Sequence, residues 1–79
     1  MLVSIGFENY INKGEVVAVI NAKSAPSKRI IEGAREQNLL VDATMGKKTN
    51  AIIVMKSGHL ALSHNTKETI VKRFNNSEI

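Results

Sequence analysis

The segment Leu39-Leu40-Val41-Asp42-Ala43-Thr44-Met45-Gly46-Lys47-Lys48-Thr49-Asn50-Ala51-Ile52-Ile53-Val54-Met55 decides how this chain reads. Two apolar, strand-like runs, residues 39–41 and 51–55, flank a polar connection with one glycine and two adjacent lysines. Such runs must be buried, so they anchor the connection at both ends. Gly46 lets the backbone take positive φ and turn sharply. Lys47 and Lys48 then project into water from a loop held by a scaffold, where binding chemistry tends to sit. The plain alternative is an ordinary solvated hairpin tip.

Upstream, residues 2–5 form a short apolar strand that Gly6 ends or bends. Residues 7–11 pair or loop, and Asn12-Lys13-Gly14 is a turn signal. Residues 16–20 make the strongest strand, β-branched nearly throughout. Their unbroken hydrophobicity predicts burial on both faces, against a helix and a sheet or against another subunit. Pro26 suits the first turn of a main helix over residues 26–37, with Ala25 extended before it. Ile30, Ile31 and Ala34 give that helix an apolar stripe. Lys28 and Arg29 are spaced to pair with Glu32, for ~0.2–0.5 kcal/mol each. Gly33 costs the helix roughly 1 kcal/mol, offset by an expected close approach to a strand or a neighbouring subunit. Asn38 stops it.

Downstream, residues 56–59 form a hairpin connection from 51–55 to a strand at 60–63. Asn65 and Glu68 read as a capping box for a second helix with Ile70, Val71 and Phe74 on its apolar face. Residues 75–79 read as a frayed tail. The predicted order β-β-α-β-β-β-α is α+β. It makes a small single domain over 1–79, with a curved, mostly antiparallel sheet, a main helix and a C-terminal helix.

At 79 residues and without cysteine, the chain has neither the size for a large core nor a disulfide to staple a small one. A tight minimal core or burial between subunits must stabilise it, so a homo-oligomer is expected. Lys and Arg total 11 against 7 Asp and Glu, an excess that favours an anionic partner, nucleic acid before membrane. One copy's excess is too small to bind DNA tightly; several copies would add their phosphate contacts. The apolar runs fall far short of the ~20 residues a membrane-spanning helix needs. The first residues lack the basic leader of a signal peptide, so a cytoplasmic protein is expected.

Lys47 and Lys48 can neutralise adjacent phosphates as flexible point charges. Thr44, Thr49 and Asn50 flank them and can add hydrogen bonds to phosphate oxygens. Lys28 and Arg29 form a second basic pair at a helix start, where anions are attracted; the alternative is a solvated face. Lys67, Lys72 and Arg73 read most simply as the exposed face of the last helix. Asp42 is most simply a carboxylate bound by nearby backbone N–H groups. His59 and His64 lack the spacing and the acidic third ligand of a metal site. No nucleophile elbow or phosphate-binding glycine loop is present, so no catalytic residue, cofactor, metal or small-molecule substrate is expected.

The blocks Ile5-Gly6-Phe7, Ser24-Ala25-Pro26 with Lys28-Arg29, Asp42-Ala43-Thr44 and Gly46-Lys47-Lys48-Thr49 come in an order and spacing that resembles the RemA family of bacterial extracellular matrix regulators, over residues 3–74. The resemblance implies a non-enzymatic, nucleoid-associated protein that forms ring-like homo-oligomers. It implies binding of promoter DNA through basic side chains and activation of biofilm matrix operons. The family's Gly-Arg-Arg-Thr-Arg segment falls on Gly46-Lys47-Lys48-Thr49-Asn50, so two arginines become lysines and the third becomes neutral. A further basic family position falls on Glu15. The resemblance therefore implies DNA binding over Lys47, Lys48, Thr49 and Asn50, at a reduced charge and without bidentate arginine geometry; Lys28 and Arg29, the second basic pair, are expected from their place at a helix start to assist. The alternative is an oligomeric scaffold for a protein partner that has lost DNA binding. RNA is disfavoured, because no aromatic side chain sits near the basic turn to stack bases.

Overall fold

The computed structural model describes residues 1–24 and 26–76. The extended geometry expected at Ala25 and the tail at 77–79 lie outside these. Strands β1 (Leu2–Gly6) and β2 (Asn9–Asn12) form an antiparallel hairpin. Its turn residues Phe7 and Glu8 both have positive φ, 51° and 64°, the signature of the tight turn that suits strand twist. Asn9 steadies it, its side-chain amide donating to the Gly6 and Phe7 carbonyls at 3.1 and 3.2 Å. A 3-10 turn over Lys13–Glu15 leads into β3 (Val16–Asn21). Then follow α1 (Ser27–Glu36), β4 (Leu40–Asp42), β5 (Ala51–Met55), β6 (Leu60–Ser63) and α2 (Lys67–Asn76).

The observed order β-β-β-α-β-β-β-α has one strand more than expected, because residues 9–12 pair with β1 rather than loop, and the strands divide into a two-stranded sheet and a four-stranded sheet ordered β3-β5-β6-β4. Three of the four strand pairings are antiparallel; β4 runs parallel to β6. The two runs around the lysines therefore do not pair with each other, because β6 lies between them. The cause is α1, which returns the chain across the sheet and makes β4 run the same way as β3. Residues 43–50 are thus a crossover past the end of β6, while residues 56–59 do close the expected hairpin, the Met55 amide donating to the His59 carbonyl at 2.9 Å.

Successive residues of β5 face opposite sides of the sheet. Ile53 packs with Ile5, Ala43, Ala51, Ala61 and Ile70, under β1 and α2. Ile52 packs with Leu60, Leu62 and Ala34, and Ile30 and Ile31 of α1 close over them. Both isoleucines are fully buried, so β5 is the centre of a three-layer domain. The expected two-sided burial of residues 16–20 fails within one chain: Val17 is 63% exposed. The register slips between Val16 and Ala18, and a bulge turns the extra residue away from the ladder.

Helix α1 begins after Pro26, which caps it rather than occupying its first turn. Ser27 is buried, its hydroxyl donating to the Asn21 carbonyl at 3.2 Å. Glu32 pairs with Arg35 at 3.1 Å, not with Lys28 or Arg29 as its spacing suggested. Asn38 ends the helix with a φ of 57°. Its amide and that of Leu39 turn back to the Arg35 and Ala34 carbonyls at 3.2 and 2.8 Å, an αL termination. Gly33 does not have the expected close neighbour in its own chain: a Cβ built there meets nothing within 4 Å. Gly33→Ala is therefore expected to stabilise the isolated chain by up to about 1 kcal/mol, raising Tm by about 4–8 °C. Thermal unfolding followed by circular dichroism checks this; a lower Tm would mean that another copy packs against this glycine.

The cap of α2 is Thr66, not Asn65: the Thr69 amide donates to Thr66 Oγ1 at 3.2 Å. Asn65 is engaged elsewhere. Its Oδ1 accepts from Arg73 at 2.8 Å and lies 2.9 Å from where a Cβ on Gly6 would fall. Gly6, at φ 104°, is thus held to glycine by backbone angle and by close approach together. Arg73 is no exposed-face cation; it also donates to the Ser4 carbonyl at 3.1 Å, tying α2 to β1. Lys13 completes the attachment, donating to the Phe74 carbonyl at 2.7 Å. The last helix continues through Asn76, past the point where fraying was expected.

Candidate nucleic-acid interface

The register fixes which connections share an end of the larger sheet. Asn21 ends β3 opposite Ala51, which starts β5, and Ala51 faces Ser63 at the end of β6. Asp42 ends β4 beside Leu62. The described residues 22–24, 43–50 and 64–66, which follow β3, β4 and β6, therefore lie together at one end. Lys47 and Lys48 are there, with Lys28 and Arg29 on the first turn of α1, all four exposed. Lys23 and Lys67 belong to the same end, where they line a cleft of about 110 Å³ with Asn21, Asn50, Thr66 and Glu68. The sequence offered no motif for either, since only the β3–β5–β6 register brings them beside the lysine turn.

Beyond Ala43, which is buried in the core, the 43–50 connection is held by hydrogen bonds. At its start the Thr44 amide and hydroxyl both donate to Asp42 Oδ1, at 2.9 and 2.6 Å. Thr44 is buried in doing so, which leaves it no role as a phosphate contact. Lys47 donates its amide to the Thr44 carbonyl at 2.9 Å, closing a turn over Met45 and Gly46 with φ of 53° and 79°. Gly46 is the expected turn glycine, and no atom lies within 4 Å of its missing Cβ. At the far end the Asn50 amide donates to the Ser63 carbonyl at 2.8 Å, and the Ala22 amide donates to the Asn50 carbonyl at 3.1 Å. The Asn50 side chain donates to the His64 carbonyl at 2.6 Å, so it anchors the loop from inside. Thr49 is half-buried beside it. Among the described residues neither Lys47 nor Lys48 has an ion-pair partner, leaving both ammonium groups available to an anion.

Asp42 sits where its carboxylate serves the turn. The Thr44 hydroxyl, then the Thr44 amide and more weakly Arg35, hold its carboxyl below the usual value of 3.8 against a small opposing effect of burial. The folded chain prefers the ionised form, so the stability that Asp42 adds is present above about pH 4 and is lost as pH falls through its depressed folded value. Asp42→Asn keeps an acceptor for the Thr44 amide but does not titrate. Chemical unfolding from about pH 5 down to about pH 2 is expected to give the variant a flatter loss of stability than the native chain; parallel curves would show that the turn does not depend on the charge.

Among the described residues no group of three or more His, Asp or Glu side chains could hold a metal ion, and none of the helices is long and apolar enough to cross a membrane. The described residues form a small α+β domain with exposed cations gathered on hydrogen-bonded loops at one end. Comparison with known proteins gives the family. Residues 2–74 match the model of the RemA-like family, described as extracellular matrix regulatory protein A-like, and the chain belongs to that family. A relative from Synechococcus sp. (strain JA-2-3B'a(2-13)) is 49% identical over 73 residues, covering 92% of this chain and 82% of its own. Relatives from Bacillus cytotoxicus and Bacillus mycoides are each 47% identical over 75 residues, covering 95% of this chain and 86% of theirs. Their names describe a regulatory role and no narrower activity.

Proposed function

We propose that this regulatory protein binds double-stranded DNA through the phosphate backbone, as a homo-oligomer that repeats its cationic end along one surface. The observation that carries the reading is the pair Lys47 and Lys48, solvent-exposed and without an ion-pair partner among the described residues, on a loop fastened at both ends. Lysine contacts of this kind supply affinity without reading base edges. Preference among sequences then comes from DNA shape and bending along the repeated contacts. Lys28, Arg29, Lys23 and Lys67 widen the cationic end, while Thr49 and the backbone support it. The family's description supports regulation connected with the extracellular matrix, and activation of matrix genes is the form of it that this reading adopts.

Assembly is supported by what one chain leaves uncovered. The larger sheet has two open edges, β3 and β4, and these expose Val17 at 63% and Val41 at 50%. An open edge with exposed branched side chains is a template for pairing with another chain. Light scattering at micromolar concentration is expected to give a defined mass of several copies, and a monomer would remove the cooperative part of the reading. Binding is tested by fluorescence anisotropy with an AT-rich promoter fragment and a random duplex at low salt. Retention of both, with modest preference, is expected; retention of neither would favour a scaffold for a protein partner.

A further inference from the structure

The lysine turn is braced from the side by a residue that no sequence motif marks. His64 Nδ1 lies 2.8 Å from the Lys48 carbonyl oxygen. A carbonyl only accepts, so Nδ1 carries the proton and donates. The brace is reciprocal: Asn50, two residues beyond Lys48, donates its side-chain amide to the His64 carbonyl at 2.6 Å. His64 is in turn fixed by Phe7, whose ring stacks on the imidazole with centroids 6.1 Å apart and planes 30° apart. Phe7 reaches that position from a backbone φ of 51°, a region non-glycine residues enter at a cost and hold only where neighbours enforce it. The chain Phe7–His64–Lys48 thus ties the β1–β2 turn to the loop segment that bears the two ammonium groups.

We propose that His64 is a positioning residue for the lysine turn: its Nδ1–H holds the Lys48 carbonyl so that the two ammonium groups are presented in one fixed arrangement. The consequence for affinity rests on the DNA reading above, while the ordering of the loop does not. A loop already ordered loses less conformational freedom when phosphate binds. The lysines keep their charge whatever occupies position 64, so His64 governs how tightly the protein binds and leaves the number of neutralised phosphates alone.

The test uses the full chain with His64→Ala, His64→Asn and His64→Gln. Amide hydrogen exchange of a peptide covering residues 44–50 is measured without DNA, followed by affinity for a random duplex and its salt slope. His64→Ala is expected to speed exchange across the loop about tenfold, as removal of one hydrogen bond does, and to weaken binding by a similar factor with the salt slope unchanged. His64→Asn is expected to restore both, because its Nδ2 is carried on Cγ as Nδ1 is. His64→Gln carries the amide one methylene too far and is expected to restore neither. Should the alanine variant not fold, the contrast between asparagine and glutamine still decides. Unchanged exchange in His64→Ala, or equal behaviour of asparagine and glutamine, would overturn the proposal. A native chain that does not bind the duplex would overturn the DNA reading alone, because loop exchange is read without it.

Discussion

Replacing Lys47 and Lys48 together by alanine is expected to weaken binding to every duplex, whatever its sequence, and to flatten the dependence on salt. Each phosphate left without its lysine lowers the slope of log K against log salt by ~0.9, so two lysines per copy account for ~1.8. Between about 50 and 200 mM salt that difference narrows the advantage of the native protein by about tenfold for each copy engaged. Fold stability is expected to change little, because both side chains are exposed and unpaired among the described residues, and such surface changes stay within about ±0.5 kcal/mol. Affinity and slope are read by titration across a series of salt concentrations, with thermal unfolding as the control. A native slope in the double variant would take the lysine turn out of the interface.

The second large effect is on the fold. Ile53→Ala is expected to cost about 2–5 kcal/mol, the range for deleting a fully buried isoleucine side chain. Ile53 is fully buried where β1, α2 and β6 meet, against Ile5, Ile70 and Ala61. Alanine fills three of the neighbouring positions, Ala43, Ala51 and Ala61, whose methyl groups cannot reach in, so the place within that range is set by how far Ile5 and Ile70 can shift to collapse the cavity. A domain of this size has a stability of roughly 4–12 kcal/mol at about 0.05–0.15 kcal/mol per residue. The loss is a large share of that total, so the variant is expected to unfold at a markedly lower urea concentration than the native chain unless assembly rescues it. Urea unfolding gives the value; a midpoint within experimental scatter of the native one would mean that the core does not centre on β5.

The sequence carried the elements more clearly than their arrangement. Strand and helix positions follow from local chemistry: β-branched runs at 16–20 and 51–55, the stripe Ile30, Ile31, Ala34, and the turn residues Asn38, Gly46 and Gly58. Strand order is set by non-local packing. Nothing in residues 39–55 shows that β6, still to come in the chain, will sit between β4 and β5. The same holds for single polar residues. Asn65 has the right spacing to cap α2, but Arg73, eight residues later, takes its oxygen, and Thr66 caps instead. Val17 reads as core by its neighbours and is turned outward by a bulge. At the site, Lys47, Lys48 and Gly46 were legible because a charged turn between two apolar runs has a local signature, although only the second run is buried as expected: Leu39 and Leu40 are half-buried and Val41 lies exposed on the edge strand β4. Lys23, Lys67 and His64 were not, because only the folded register brings them to that end.

The measurement closest to the central claim is the salt slope of the native protein on a long duplex, taken with the mass of the bound assembly. One copy's two lysines supply at most about 1.8. A slope several times that value, falling in the Lys47→Ala, Lys48→Ala variant by about 1.8 for each copy on the DNA, is the predicted result. A slope of about 2 or less from a bound assembly of several copies would contradict the account.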